Sequence, residues 1–381
     1  MSMKPVVLSL CALLVAGPSL AQEDGASSER RQKGEAALAA AVEFLKAHRN
    51  EDGSWSGPDG NKHPAITALC LAGILRASET ADGEFARKSI DYLLGVQKED
   101  GGIYESGLRT YETSLSILGL VEAKHHTGDE ELQKRLDAAI TKARDYLVHL
   151  QADEEEGVLP SDPTYGGIGY EGKMHTDLSN TQTVLEALDA AGLPKDHPFY
   201  EKARTFIGRC QNFDEANDQA WAGIDGGMVY APGVSKAGEV ERPDGTKGLR
   251  SYGSMTYAGL KSYIHAGLTP KDPRVKAAYD WITSHYSVDE NPEMGMQGYF
   301  YYLHTFAKTF SVLGMDEVED SAGVVHDWRA ELTDKLLELQ TKEGEDAGSW
   351  VNGTDRWWEG DPVLVTSLVI HALEYALEGD G

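Results

Sequence analysis

Apolar positions along this chain fall into two alternating kinds of segment. In one kind they follow a single helical stripe with Lys, Arg, Asp and Glu opposite, which predicts amphipathic helices near 33–48, 83–96, 132–150, 196–210, 272–285 and 322–340. In the other, apolar or small residues occupy more than one face, as in Ala68-Leu69-Cys70-Leu71-Ala72-Gly73-Ile74. These predict more deeply buried helices near 63–78, 109–126, 177–191, 252–267, 299–313 and 361–377. Asp272-Pro273 and Asp361-Pro362 each put a capping carboxylate before a proline at the first helical position, and Gly192, Gly267 and Gly314 stand where helices should stop.

A repeat ties the two kinds of segment together. Phe44-Leu45 precedes Arg49 and then Gly53-Ser54-Trp55, and Tyr92-Leu93 precedes Gln97 and then Gly101-Gly102-Ile103 at the same offsets. Tyr146-Leu147 before Gln151, Phe206-Ile207 before Gln211 and Leu336 before Gln340 repeat the helix half, with glycine turns at Gly166-Gly167, Gly226-Gly227 and Gly348-Ser349-Trp350. A further copy, Trp281-Ile282 before Tyr286, lacks the Gln. In the buried segments Thr67, Thr113, Thr181, Thr256, Thr305 and Thr366 each stand two helical turns before Ile74, Leu120, Leu188, Tyr263, Val312 and Leu373. Twelve alternating helices in six copies imply an all-α (α/α)6 toroid, with six outer and six inner helices and the last copy meeting the first. Inserts at 152–176, 212–250 and 286–298 each join an outer to the next inner helix, so they gather at one end of the barrel, where a site is expected.

The ends of the chain bear on compartment. Lys4 precedes an apolar run from Pro5 to Ala16, and Ser19-Leu20-Ala21 supplies small residues for cleavage, so residues 1–21 read as a signal peptide cut near Ala21. Residues 22–32 then form a flexible N-terminus and 33–381 a single toroid domain, secreted or periplasmic and without a membrane span. Losing the leader, with its one lysine, takes the formal charge from −27 to −28, which disfavours nucleic acid and anionic membrane surfaces as partners. Cys70 and Cys210, which survive cleavage, are too few and too far apart for a disulfide framework or a cysteine-rich zinc site.

The aromatic-Leu, Gln, Gly-x-Trp spacing resembles the QW repeat of squalene and oxidosqualene cyclases, and the looser Gln, Gly-Gly form is similar to repeats of protein prenyltransferase β subunits. The resemblance covers essentially the whole chain after the leader and implies the toroid of that superfamily. The motifs that carry chemistry in the family do not match. No Asp-x-Asp-Asp acid motif occurs; Glu317-Val318-Glu319-Asp320 mimics it but leads into an outer helix, where Asp320 or Ser321 reads as an N-cap. Neither Cys70 nor Cys210 has the Asp two residues earlier that the prenyltransferase zinc site implies, and His63 lies roughly 10 Å from Cys70 along a shared helix. The Gly-Cys-Gly-Glu-Gln signature of complement-like thioester domains is also absent. No metal or cofactor is therefore expected.

Inner helices that begin at the insert-bearing end turn Arg109, Tyr111, Glu112, Asp177, Asn180, Tyr252, Tyr257, Tyr302, His304 and Asp361 toward the lumen or its rim, with Trp357 just ahead of the last helix. A carboxylate beside a histidine supports general acid–base work, which makes Asp177, His304 and Asp361 the candidate catalytic set; the others are candidate ligand contacts. Asp177 and Asp361 are equally good helix caps, and His304 lies between Leu303 and Phe306 as a core histidine would. Three functions remain open: an exported cyclase- or prenyltransferase-like protein that holds or transforms an apolar isoprenoid-type ligand, a secreted carbohydrate-active (α/α)6 enzyme, and a non-catalytic scaffold for an unknown protein partner.

Overall fold

A computed structural model describes residues 20–77, 80–242 and 245–378. Outer helices α1 (Leu20–Ala47), α3 (Glu84–Gly95), α5 (Glu130–His149), α7 (Pro198–Arg209), α9 (Pro273–Ser284) and α11 (Trp328–Leu339) alternate with inner helices. The inner set is α2 (Pro64–Ala77), α4 (Arg109–His125), α6 (Leu178–Ala190), α8 (Gly253–His265), α10 (Tyr299–Leu313) and α12 (Pro362–Leu377). Each inner helix packs on the next and α12 packs on α2, so the ring is closed and the fold is the (α/α)6 toroid. Three antiparallel hairpins decorate it: β1 (Ile168–Gly169) with β2 (Gly172–Asp177), β3 (Glu239–Glu241) with β4 (Lys247–Leu249), and β5 (Glu317–Glu319) with β6 (Val325–Asp327).

The repeat residues show why the ring closes. The Gln151 amide donates to Gly166 O and to Phe199 O of the next outer helix, both at 3.0 Å. Gln97 does the same to Gly101 O at 2.9 Å and Ala139 O at 3.0 Å, and Gln211 to Gly226 O and Arg274 O at 2.9 Å. Gln340 joins the ends of the chain, reaching Gly348 O and Ala37 O of α1 at 3.0 Å. Each amide thus ties its own glycine turn to the neighbouring outer helix. The two divergent copies span the same gap differently: Arg49 donates to Phe85 O at 2.6 Å, and the Tyr286 hydroxyl donates to Glu331 at 2.9 Å. Gly166 has φ +85°, and a Cβ there would stand 1.9 Å from Lys202 O, so the turn lies directly against the backbone of α7.

The aligned threonines secure the other side of the turn. Thr67, Thr113, Thr181, Thr256 and Thr366 accept from the backbone N–H of Trp55, Ile103, Ile168, Met228 and Trp350 at 3.0–3.1 Å. Thr305 departs from this, donating to Tyr301 O within its own helix at 2.9 Å. Trp55 and Trp350, both fully buried, donate from Nε1 back to Leu45 O and Leu336 O at 2.7 and 2.8 Å.

Caps and stops fall where the sequence puts them, with two differences. Asp272 and Asp361 accept from Arg274 N and Leu364 N, and Gly192, Gly267 and Gly314 take φ of 71°, 85° and 64°. Asp320, however, accepts from Ala322 N and Val324 N in the β5–β6 turn, and Asp327 caps α11 through Ala330 N at 2.9 Å. The β-branched Val318, Val324 and Val325 around Gly323, at φ 82°, favour a hairpin where a helix entry was expected. At the other end, α1 begins at Leu20, so the stretch 22–32 expected as flexible is helical, and Arg30 reaches Asp334 of α11 at 2.9 Å. Residues 1–19, which hold most of the expected signal peptide, lie outside the described residues. Among the described residues no helix is long and apolar enough to cross a membrane.

Replacing Gln340 by Ala removes two buried bonds, one to its own glycine turn and one that joins the last outer helix to the first. It should lower the unfolding free energy by about 2 kcal/mol, read as a lower urea midpoint with unchanged slope, whereas Glu345→Ala on the exposed loop should leave the midpoint in place.

Candidate functional site

The closed inner ring encloses a cavity of about 960 Å³ along the barrel axis. Because every inner helix begins at the insert-bearing end, the first turns of α2 to α12 and the inserts form its mouth. Ala68, Leu69, Ala72, Leu115, Met255 and Leu368 make much of the wall, so the cavity is apolar between its ends. Tyr111, Tyr170, Tyr230, Tyr252 and Tyr301 ring the mouth, and Trp357, 48% exposed, stands at the rim. Trp357 and Trp358 both hold left-handed backbone, with φ of 58° and 68°, a strained turn that the Arg356 guanidinium covers at 4.1 Å from the Trp357 ring.

One polar cluster is built into the mouth wall. His63 Nδ1 faces Glu112 Oε1 at 3.4 Å and Nε2 faces Asp59 Oδ1 at 3.1 Å, with Trp358 packed edge-on at 5.3 Å. Glu112, fully buried, also accepts from Glu105 N, Ser106 N and Ser106 Oγ at 2.9–3.0 Å. Burial works to raise the Glu112 carboxyl, but the His63 and loop donors outweigh it and hold it below its ordinary value. The Glu112 bond raises His63 in turn, against burial and with help from Asp59. The two carboxylates beside His63 thereby favour its imidazolium form in the cavity wall. Glu359, also lining the mouth, accepts from Asn352 Nδ2 at 2.7 Å and from Tyr301 N at 2.8 Å, supplying α10 with the cap that Gly298 lacks.

A second cluster lies deeper. Glu186 of α6 accepts from Lys261 of α8 at 2.7 Å and from Lys308 of α10, and all three line the cavity. His371 of α12 accompanies them, with Nε2 at 3.1 Å from Leu69 O and Nδ1 at 3.1 Å from Glu374. These side chains lie eight or nine residues into their helices, about 12–14 Å below the mouth. Arg76 marks the far end, 2.8 Å from Glu122 and 3.8 Å from Glu374. Burial pushes the Glu374 carboxyl well up and the His371 imidazole down to about 3, so the imidazole is neutral near pH 7.

Of the residues expected at the site, Tyr111, Glu112, Tyr252, His304 and Trp357 line the cavity. Asp177, Asn180 and Asp361 do not, so the three candidate catalytic side chains do not share one face of the lumen. Asp177 is wholly buried behind the wall, accepting from Asn180 N and Asn180 Nδ2 at 2.8 Å, and burial raises its carboxyl to about 6. Asp361 caps α12 at 2.8 Å, half-buried. His304 stands within the lumen, its ring 5.8 Å from that of His371, and burial holds it well below the ordinary imidazole range. Tyr257 and Tyr302 turn into the aromatic layer with Phe306, their rings 5.4 Å apart, and the Tyr302 hydroxyl donates to Ser287 O at 2.6 Å. Arg109 is exposed, its guanidinium over the Tyr104 ring at 5.2 Å, because the first turn of α4 directs it away from the axis. The Glu186 cluster was missed although a signal existed: Glu186, Lys261 and His371 each follow an aligned threonine, Thr181, Thr256 and Thr366, by five residues. Among the described residues no group of three or more His, Cys, Asp or Glu side chains is placed to hold a metal ion.

Comparison with known proteins agrees with the toroid fold. Residues 24–124 match the squalene-hopene cyclase C-terminal domain family. Lanosterol synthase erg7A of Aspergillus fumigatus is 30% identical over 133 residues, 31% of this chain and 17% of the synthase's length. The type II terpene cyclase MstE from Scytonema superposes with a TM-score of 0.54 at 14% identity, over 91% of this chain and 99% of that one. By fold and repeat, the chain is terpenoid cyclase-like. A variant of MstE is known with geranylgeranyl dihydroxybenzoate, its substrate, and matches with a TM-score of 0.52 at 14% identity over 92% of this chain and 99% of that one. A variant unsaturated glucuronyl hydrolase from Streptococcus agalactiae shares the terpenoid cyclase-like toroid's architecture at 12% identity, with a TM-score of 0.50 over 91% of this chain and 90% of that one.

The Asp177 carboxyl, raised from 3.8 to about 6, binds its proton more tightly folded than unfolded. Its burial therefore weakens the fold as pH rises through that interval, and the loss is complete above it. Asp177→Asn keeps a capping oxygen without the charge, and should stabilise the protein by about 2 kcal/mol near pH 8 and by nearly nothing near pH 4 in urea denaturation.

Proposed function

We propose that this protein takes an elongated, largely apolar molecule of isoprenoid type into its lumen, and that it does so outside the cytoplasm. The observation that carries the first part is the lumen itself: about 960 Å³, apolar or small-residue walls, and an aromatic mouth. That volume stands near the top of the roughly 300–1,000 Å³ range of small-molecule pockets. The geranylgeranyl dihydroxybenzoate of the Scytonema enzyme, a protein of like fold, is a molecule of the proposed kind. Sugars demand polar partners along their length, and the wall between the two clusters provides few of them.

The proposed activity is binding. The alkene-protonating Asp-x-Asp-Asp of the cyclases has no counterpart in this sequence, and Asp177, whose carboxyl burial raises to about 6, stands behind the wall and not in it. The apolar leader supports export.

Titration with geranylgeraniol and with a hexasaccharide, followed through quenching of the rim tryptophans, should show saturable binding of the alcohol alone. Ala65→Trp, which narrows the mouth, should weaken it at least about tenfold with an unchanged thermal midpoint. Saturation by the sugar and not the alcohol would move the protein to the carbohydrate-active reading. Export is checked separately, by sequencing the N-terminus of the native protein: Gln22 is expected first, and an intact Met1 in a cytoplasmic fraction would defeat that part of the proposal.

A further inference from the structure

Among the lumen side chains, two amines share one carboxylate. Lys261 Nζ is 2.7 Å from Glu186 Oε2 and Lys308 Nζ closes on Glu186 Oε1, with side-chain exposures of 3% for Lys261, 16% for Lys308 and 9% for Glu186. The other charges at this depth already have partners or are neutral. Arg76 is paired with Glu122, His265 lies 2.8 Å from Asp189, and burial holds His304 and His371 uncharged. When both amines are protonated, the cluster therefore carries one positive charge more than its neighbours balance. Leaving such a charge in an apolar cavity costs several kcal/mol, a penalty that an anion of single charge removes.

We propose that Lys261 and Lys308 receive the carboxylate head of an otherwise apolar ligand, whose chain lies along the apolar wall between them and the mouth. The inference rests on the lumenal reading above and names the ligand's class within it. A monocarboxylate balances the excess of one charge, whereas a diphosphate brings more negative charge than two ammonium groups beside Glu186 can meet. Depth fits as well, since about 12–14 Å of wall separates the amines from the helix starts, apolar along α2, α4 and α12 with Gln182, Thr183 and Thr305 facing it from α6 and α10. Burial lowers both amines to about 7, and a carboxylate beside them draws the second proton on, so the head group is held by charge-assisted bonds away from water. A branched isoprenoid acid and a straight-chain fatty acid present the same head, and chain shape against the wall separates them.

The test titrates the full-length protein with phytanic acid, palmitic acid and phytol. The wild type should bind phytanic acid about tenfold more tightly than phytol, the gain expected of a charge-assisted bond. Lys308→Met should bring that ratio near one by weakening the acid's hold, and Glu186→Gln, which removes the competing internal anion, should widen it. If Lys308→Met does not fold, the Glu186→Gln ratio alone decides. Palmitic acid binding as tightly as phytanic acid keeps the head-group assignment and transfers it to straight-chain lipids. Equal affinity of the wild type for acid and alcohol, or a ratio unmoved by both substitutions, overturns the assignment while the lumenal reading stands. Binding of none of the three compounds overturns both.

Discussion

The toroid depends on a side-chain amide placed at the end of an outer helix. Each Gln of the repeat gives both its N–H bonds away, one to its own glycine turn and one to the next outer helix, so a local turn and a contact between repeats are made by one group. Both acceptors are backbone carbonyls in a buried setting, where an unmet donor costs about 1–3 kcal/mol, and the amide is therefore held to this geometry. The glycines follow from it, because the turn must lie against the neighbouring backbone: Gly348, at φ +95°, would put a Cβ 2.6 Å from Ala40 O. Arg49 and Tyr286 show that the constraint is the bridge and not the residue, since each reaches the next outer helix with different chemistry.

The threonines carry this order inward. By accepting from the residue after the glycine turn, Thr67 and its counterparts fix where each inner helix starts relative to the outer ring, and the positions that follow fall at common depths. Residues five beyond the threonine share one level, which is why Glu186, Lys261 and His371 come together. Thr305 stands apart, bonding within α10, and the lysine of that helix enters the cluster from a different offset. The same level in α2 and α4 is occupied by Ala72 and Leu118, so at this level charge is confined to one side of the lumen.

Polar groups at the two ends of the lumen serve different ends. At the mouth, His63 and Glu112 stabilise one another's charged forms, and a carboxylate that burial works to protonate stays ionised. Deeper down, one carboxylate faces two amines. Asp177 is a third case: a buried cap whose cost is offset by the helix it starts, with its raised carboxyl kept from the cavity.

What the sequence by itself determined is the periodic part of this protein. Helices, turns, the count of six and the division into inner and outer rings all follow from spacings within about 20 residues, and local backbone chemistry is enough to read them. Asp361 and Asp272 were legible as caps for the same reason, since a cap's partner is two or three residues away. The hairpin at 317–327 was not, because its two short strands pair across a turn that carries no helical period. The site was the least legible. Whether an inner-helix side chain enters the lumen, hides behind it as Asp177 does, or packs sideways as Tyr257 does depends on how each helix is rotated against its neighbours. Lys261 and Lys308 meet Glu186 across 75 and 122 residues of sequence, and only the packing of α6, α8 and α10 around the lumen makes them neighbours.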